Sequence, residues 1–188
     1  MRRTKVVHAP HEVHTARKHF AATQKAAATP NKPAAFHWDY TRFGKPGGVA
    51  QKPDETFVLT FDKQQSAVGG FNRWTINGKA FPMMSGGMNG MQMGAIEPLL
   101  KLSLGRLYRL RMRNASDDIH PMHLHRHTFE VTRIGGTSTA GVHKDVVMVG
   151  GFQEVDIDFT ADQPGLSLFH CHQQLHMDFG FMALFDCA

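Results

Sequence analysis

Cysteine is scarce in this sequence. Two occur in 188 residues, Cys171 and Cys187, and no C-x-x-C pair is among them. Two thiols make no disulfide framework, and the paired cysteines that usually anchor a structural zinc site are missing. Long apolar runs are missing too. None approaches the roughly 18 residues of a membrane-spanning helix. The start, Met1-Arg2-Arg3-Thr4-Lys5-Val6-Val7-His8, is basic like an export signal, but it lacks the apolar region of roughly 7–15 residues that must follow. Acidic residues are few at one end only: residues 1–50 hold two against nine Lys/Arg, and residues 51–188 hold fourteen against twelve. The formal charge of +5 therefore belongs to the N-terminal segment. A loosely basic stretch without interleaved aromatics reads as a solvated linker and not as a nucleic-acid surface. What remains, 41% apolar residues, suits one domain with a real core and an appendage.

Histidine is what the chain does have, and it is clustered. His170-Cys171-His172-Gln173-Gln174-Leu175-His176 follows the apolar residues Leu166, Leu168 and Phe169, which read as a buried strand. Side chains on a strand alternate between faces. If the strand continues through the motif, Cys171 points one way while His170 and His172 point the other. One short segment then serves two metal centres, one through sulfur and one through two imidazoles. His176 returns to the sulfur side once the chain turns. A thiolate with two imidazoles and a weak or absent axial ligand is the donor set of blue-copper electron-transfer sites. The bland alternative is a buried thiol near surface histidines.

A second cluster lies upstream: His120-Pro121-Met122-His123-Leu124-His125-Arg126-His127. His123 and His125 share a strand face and can reach adjacent metals. Pro121 resets the backbone after His120, so His120 can complete the thiolate site while the other two face the second centre.

Together, H-P-x-H-L-H and H-C-H-x3-H-x4-F resemble the two copper-binding motifs of the C-terminal (third) cupredoxin domain of laccase-like multicopper oxidases. The resemblance covers about Thr56 to Ala188. It implies copper as cofactor, with His120, Cys171 and His176 as type 1 ligands, His123 as a type 2 ligand, and His125, His170 and His172 as type 3 ligands. It puts Phe181 in the axial place, where it cannot coordinate, so a three-coordinate type 1 site of raised potential is expected. Met182 is out of register and is read as packing. His127 matches no ligand and is expected to hydrogen-bond. The resemblance further implies a laccase-like oxidase. Single electrons from a phenolic or metal-ion reductant enter by an exposed edge of His176 and pass through Cys171 and its flanking histidines. A trinuclear copper cluster then reduces dioxygen to water. The chain shows half of the imidazoles such a cluster uses. An N-terminal cupredoxin domain or chain is expected to supply the rest, and an exposed apolar face makes a homo-oligomer another expectation. The family resemblance points to a periplasmic or secreted setting, which cysteine usage does not reveal. A different class of function, a stand-alone blue-copper electron carrier, needs only His120, Cys171 and His176. It leaves four imidazoles with no metal to bind, at a cost if they are buried.

From Thr56 onward short strands follow one another. Thr56–Phe61 is β-prone, and Phe71–Gly78 ends in an Asn-Gly turn signal. Tyr108, Leu110 and Met112 alternate with three arginines, and Val155, Ile157 and Phe159 alternate with acids. Phe129 and Val131 are read as continuing the first histidine motif, Asp145–Val149 as a strand, and Phe181–Phe185 as the last one. Seven or eight strands argue for an antiparallel sandwich, and with the copper motifs for an all-β, cupredoxin-like Greek-key β-sandwich at residues 53–188, behind an irregular N-terminal extension at 1–52. Within that extension Glu12–Ala28 reads as a marginal helix that the prolines at 30, 33 and 46 would end. The spacing of His8, His11 and His14 permits weak chelation, but the stretch reads first as a linker. Five of the eleven methionines fall between Met83 and Met93 among Gly, Ser and Asn. Their thioethers suit cuprous ions; packing on a neighbouring domain is the other reading.

Overall fold

In the computed structural model, which describes residues 40–45, 47–82 and 96–188, eleven strands form two sheets. They are β1 (Glu55–Val68), β2 (Phe71–Ile76), β3 (Leu100–Leu102), β4 (Leu107–Asn114), β5 (His120–Leu124), β6 (Phe129–Ile134), β7 (Thr137–Lys144), β8 (Val146–Val149), β9 (Glu154–Thr160), β10 (Gly165–Cys171) and β11 (Met182–Cys187), with a 3-10 turn at Tyr40–Phe43 and, among the described residues, one short α-helix, α1 (Gln174–Asp178). The larger sheet has the order β2-β1-β4-β9-β6-β7 and the smaller β3-β11-β10-β5-β8. The all-β sandwich of cupredoxin type is therefore the architecture.

Alternation explains the packing. Tyr108, Leu110 and Met112 turn inward from β4 and are buried. Across the ladder Leu110 pairs with Ile157, and on the far face Arg109 meets Asp158 and Arg111 meets Asp156. The inward residues of the larger sheet, among them Leu59, Val131 and Ile157, join Met122, Phe169 and Phe185 of the smaller one in a single core. Each such side chain contributes about 1.5–3 kcal/mol by leaving water. The outward acids are covered as well. Asp156 and Asp158 are buried, and Arg109 holds Asp158 through two bonds of 2.7 and 2.8 Å.

Several expectations change. Eleven strands replace seven or eight, because β3 and the Gly-containing β7 carry too short or too mixed a pattern to be noticed. The sandwich is not wholly antiparallel: β1 pairs with β4, and β3 with β11, in parallel. Phe129 and Val131 do not prolong the histidine strand. β5 lies in the smaller sheet and β6 in the larger, and the chain passes between them through Arg126 at φ +65°. The last strand starts at Met182, so Phe181 lies just before it. Thr41, Lys45 and Gly47 also bond to β7: Thr139 Oγ1 donates to the Thr41 carbonyl, and the Lys45 and Gly47 amides donate to the Ala140 and Ser138 carbonyls. The Glu12–Ala28 helix, the histidines at 8, 11 and 14, and the methionines from 83 to 93 lie outside the described residues. No helix among the described residues is long and apolar enough to cross a membrane.

Candidate metal centres

Two strands carry both centres, and the pleat separates them. β5 and β10 are antiparallel neighbours, with His170 opposite His123 and Cys171 opposite Met122. On β5, His120, Met122 and Leu124 face the core, while Pro121 and His123 face outward and are half-buried. On β10, Phe169 and Cys171 face the core and His170 the other side. The Cys171 carbonyl is the acceptor for His170 Nδ1–H, at 2.8 Å.

His176 reaches the sulfur on α1, a helix the sequence did not announce. Its residues pack too few apolar positions to show a helical period. The turn brings His176 Nδ1 to 3.6 Å from Cys171 Sγ and 3.2 Å from His120 Nδ1, with His120 Nδ1 3.9 Å from the sulfur. These three ligand atoms lie within 4.8 Å of one another, and all three residues are buried. Phe181, fully buried, presents its ring at 4.6 Å from the His120 ring in edge contact. It offers the centre no donor atom.

The expected exposed edge of His176 is corrected here. The residue is only 6% exposed, because the indole of Trp74 stacks on it with ring centres 4.1 Å apart. Trp74 Nε1–H donates to Asp118 at 3.0 Å, and Asp118 also pairs with Lys63. Outside this pair Phe71 stacks on Phe179, and Leu175 closes a shallow groove against Trp74.

On the opposite face His123, His125 and His170 converge, each offering one ring nitrogen within 4.8 Å of the others. His125 Nε2 and His170 Nε2 are 2.9 Å apart. His123 Nδ1–H donates to the Asp145 carbonyl at 2.7 Å, and His170 Nδ1–H is likewise spent on a carbonyl, so both leave Nε2 bare toward the cluster. His172 stands at its rim, exposed, with its ring 5.6 Å from that of His170 and 5.8 Å from that of His123. His127 sits apart; its Nδ1–H donates to the His125 carbonyl at 3.0 Å. Arg126 ties the same corner to the Pro164 and Leu166 carbonyls. Met182 is half-buried and stands opposite His170 on β11.

Electrostatics suits both groups to a metal. Burial pushes His120 down to about 4, and His176 nearby adds to the effect. Burial also holds His176, His125 and His170 below the ordinary imidazole range. These rings are neutral at pH 7, which is the ligating form. Burial raises the Cys171 thiol to about 11, so the thiolate needs a bound cation to exist there. A soft thiolate, two neutral imidazoles and no strong fourth donor fit copper better than a four-coordinate zinc.

Sequence reading missed the residues behind the ligands. Asn114 ends β4, Ser116 follows it, and Trp74 lies within β2. None follows a spacing that marks it.

Comparisons with known proteins agree with this geometry. The family model described as multicopper oxidase matches residues 56–187. Laccase-5 of Trametes versicolor is 44% identical over 77 residues, covering 38% of this chain and 15% of that protein. Multicopper oxidase MmcO of Mycobacterium tuberculosis is 32% identical over 113 residues, covering 60% of this chain and 19% of that protein. The chain thus spans less than a fifth of the length of these curated relatives. Among solved structures, a multi-copper oxidase from Pseudomonas thermotolerans superposes with TM-score 0.57 at 27% identity over 73% of this chain and 31% of that one. Fet3p, a multicopper oxidase that functions in iron import, superposes with TM-score 0.61 over 87% of this chain and 38% of that one; at 18% identity this speaks for the fold alone.

Proposed function

The chain belongs to the multicopper oxidase family, whose cofactor is copper, and on that premise we propose that it is the electron-accepting domain of a laccase-like oxidase. His120, Cys171 and His176 would hold the type 1 copper, His123 the type 2 copper, and His125, His170 and His172 the type 3 pair. When bound, copper supplies one-electron redox chemistry that draws on a phenolic or metal-ion reductant and ends in the reduction of dioxygen to water.

The chain's own residues set the direction of that chemistry. Cys171 is bonded through the backbone to His170 and His172, and the His170 ring donates to the Cys171 carbonyl at 2.8 Å. Sulfur and imidazoles of the two centres are therefore joined by a few covalent bonds and one short hydrogen bond. Trp74 and Phe181 keep water from the sulfur side, which strengthens electrostatic interactions there. A reductant approaches over the groove of Phe71, Leu175 and Trp74 and meets His176 through the indole, not at an open imidazole edge.

One observation carries the reading: His123 and His170 turn bare Nε2 atoms to a common point on the face opposite Cys171, with His125 beside them. A stand-alone blue-copper carrier has no use for that arrangement. The cluster is open on its outer side, with His172 exposed, and we infer that a further cupredoxin domain or chain supplies the remaining imidazoles. A secreted or periplasmic setting goes with this reading.

Copper content, with optical and electron paramagnetic resonance spectra of the purified 188-residue protein, tests it. About one copper per chain with the intense blue thiolate band is expected of the chain alone, with type 2 and type 3 features appearing once the partner is added. Cys171→Ser must abolish the blue band; its persistence would show that another residue supplies the charge-transfer ligand.

A further inference from the structure

We propose that Asn114 and Ser116 form a hydrogen-bond relay that fixes the tautomer of His120, keeping Nδ1 bare and aimed at the Cys171 sulfur. Neither residue can touch a metal in the sulfur-side centre; both act as positioning residues through the His120 ring. The inference rests on the reading of that centre as a copper site, but its first step concerns proton positions in the metal-free chain.

The Asn114 amide orients the relay. Its Nδ2 faces two carbonyl oxygens, Asp118 at 2.7 Å and Gly150 at 2.9 Å. Carbonyls only accept, so the amide nitrogen is pinned to that side and Oδ1 to the other. The Ser116 amide donates to this Oδ1 at 2.9 Å, in agreement. Ser116 Oγ lies 2.8 Å from the same Oδ1, so the hydroxyl proton is committed to Asn114. The hydroxyl has one proton; what it turns toward His120 Nε2, 3.1 Å away, is a lone pair. His120 Nε2 must therefore carry the ring proton, and Nδ1 is bare.

Burial makes the relay decisive. Asn114, Ser116 and His120 are 5%, 4% and 0% exposed, so bulk water does not substitute for a lost partner. Phe61 and Phe181 present ring edges to the imidazole, at 6.1 and 4.6 Å between centres, and neither accepts a proton from it. With the opposite tautomer, Nδ1–H would point into the ligand cluster and Nε2 would face the serine oxygen lone pair to lone pair. The loop is itself anchored: the Ala115 amide donates to the Phe61 carbonyl and the Phe152 amide to the Ser116 carbonyl. The relay thus ties His120 to the end of β4 and to the turn before β9.

Ser116→Ala removes the hydroxyl while leaving the backbone amide bond to Asn114 in place. Ser116→Thr restores a hydroxyl. On the nitrogen-15-labelled, metal-free 188-residue chain, long-range proton–nitrogen spectra read each ring nitrogen directly. The parent and Ser116→Thr are expected to show His120 protonated at Nε2 only, and Ser116→Ala a mixture of both tautomers. Copper titration should find Ser116→Ala about 10- to 100-fold weaker than the parent, with Ser116→Thr recovering most of the loss. A parent chain protonated at Nδ1 overturns the relay, and that measurement stands even if the alanine variant does not fold. An alanine variant with unchanged ring nitrogens and unchanged copper affinity overturns it equally. A parent with the Nε2 proton but no blue band on copper addition leaves the relay intact and sinks the copper reading instead.

Discussion

At the scale of single residues, the sulfur-side centre is a set of groups kept neutral by burial until a cation arrives. The consequence for pH is direct. His120 is lowered from 6.5 to about 4 in the folded chain. Below pH 6.5 the unfolded chain takes up a proton on this ring and the folded chain does not. Metal-free protein is therefore expected to lose stability as pH falls from about 6.5 to about 4, by about 3 kcal/mol from this ring alone, with burial of His176 acting in the same direction. Denaturant unfolding of the apoprotein at several pH values measures it, and a flat profile over that window would show that His120 stays solvated. Phe181 is the second residue-scale test. On the proposed reading its ring, 4.6 Å from that of His120, would take the axial place of the type 1 copper, so Phe181→Met would add a thioether there and should lower the potential. A redox titration that finds the potential unchanged or raised would remove Phe181 from the axial role.

At the scale of elements, the site depends on how α1 hands the chain to β11. Gly180 makes that link at φ +102°, where a Cβ would come within 2.8 Å of Ala80 Cβ and 3.3 Å of the Trp74 carbonyl. The Phe81 amide also donates to the Gly180 carbonyl, and the Phe181 carbonyl accepts from the Cys171 amide. Gly180→Ala is thus strained twice, by its backbone conformation and by contact. A loss of about 1–3 kcal/mol is expected, with a shifted or broadened blue band because His176 and Phe181 flank the position. Thermal unfolding and the optical spectrum of this variant check both parts; an alanine tolerated without change in either would mean that the turn has room to relax. The β5–β10 pair shows the complementary case: two antiparallel strands in fixed register place Cys171 and His170 on opposite faces with no loop involved.

At the scale of the whole molecule, the sulfur-side centre joins three elements that chain connectivity alone leaves apart: β5, β10 and α1. A metal that binds only the folded arrangement stabilises it by mass action, about 4 kcal/mol at a concentration near 1,000 times its dissociation constant. Copper should therefore raise the unfolding temperature of the parent chain, chelation should reverse the gain, and Cys171→Ser should show little of it. An unfolding temperature indifferent to copper would place the metal outside the folded core. The imidazole cluster on the other face has His172 exposed at its rim, and it is there that the further domain proposed above would dock.

Period and neighbourhood are legible in the chain before it folds. The alternation of Tyr108, Leu110 and Met112 with arginines, and of Val155, Ile157 and Phe159 with acids, named the inward faces, because a strand has only two sides. The adjacency of Cys171 to His170 and His172 set one thiol and two imidazoles on different faces for the same reason. Ligand softness then chose copper. Long-range packing is not legible there, because it brings together groups from distant stretches. Trp74 over His176, Ser116 against His120 and Arg126 as the switch between sheets follow no local period. β3 and β11 pair in parallel although they lie far apart in the chain, a contact that local pattern does not encode. The expected open edge of His176 failed on the same ground: burial is set by what packs on a residue, and here that is an indole from a strand about a hundred residues away.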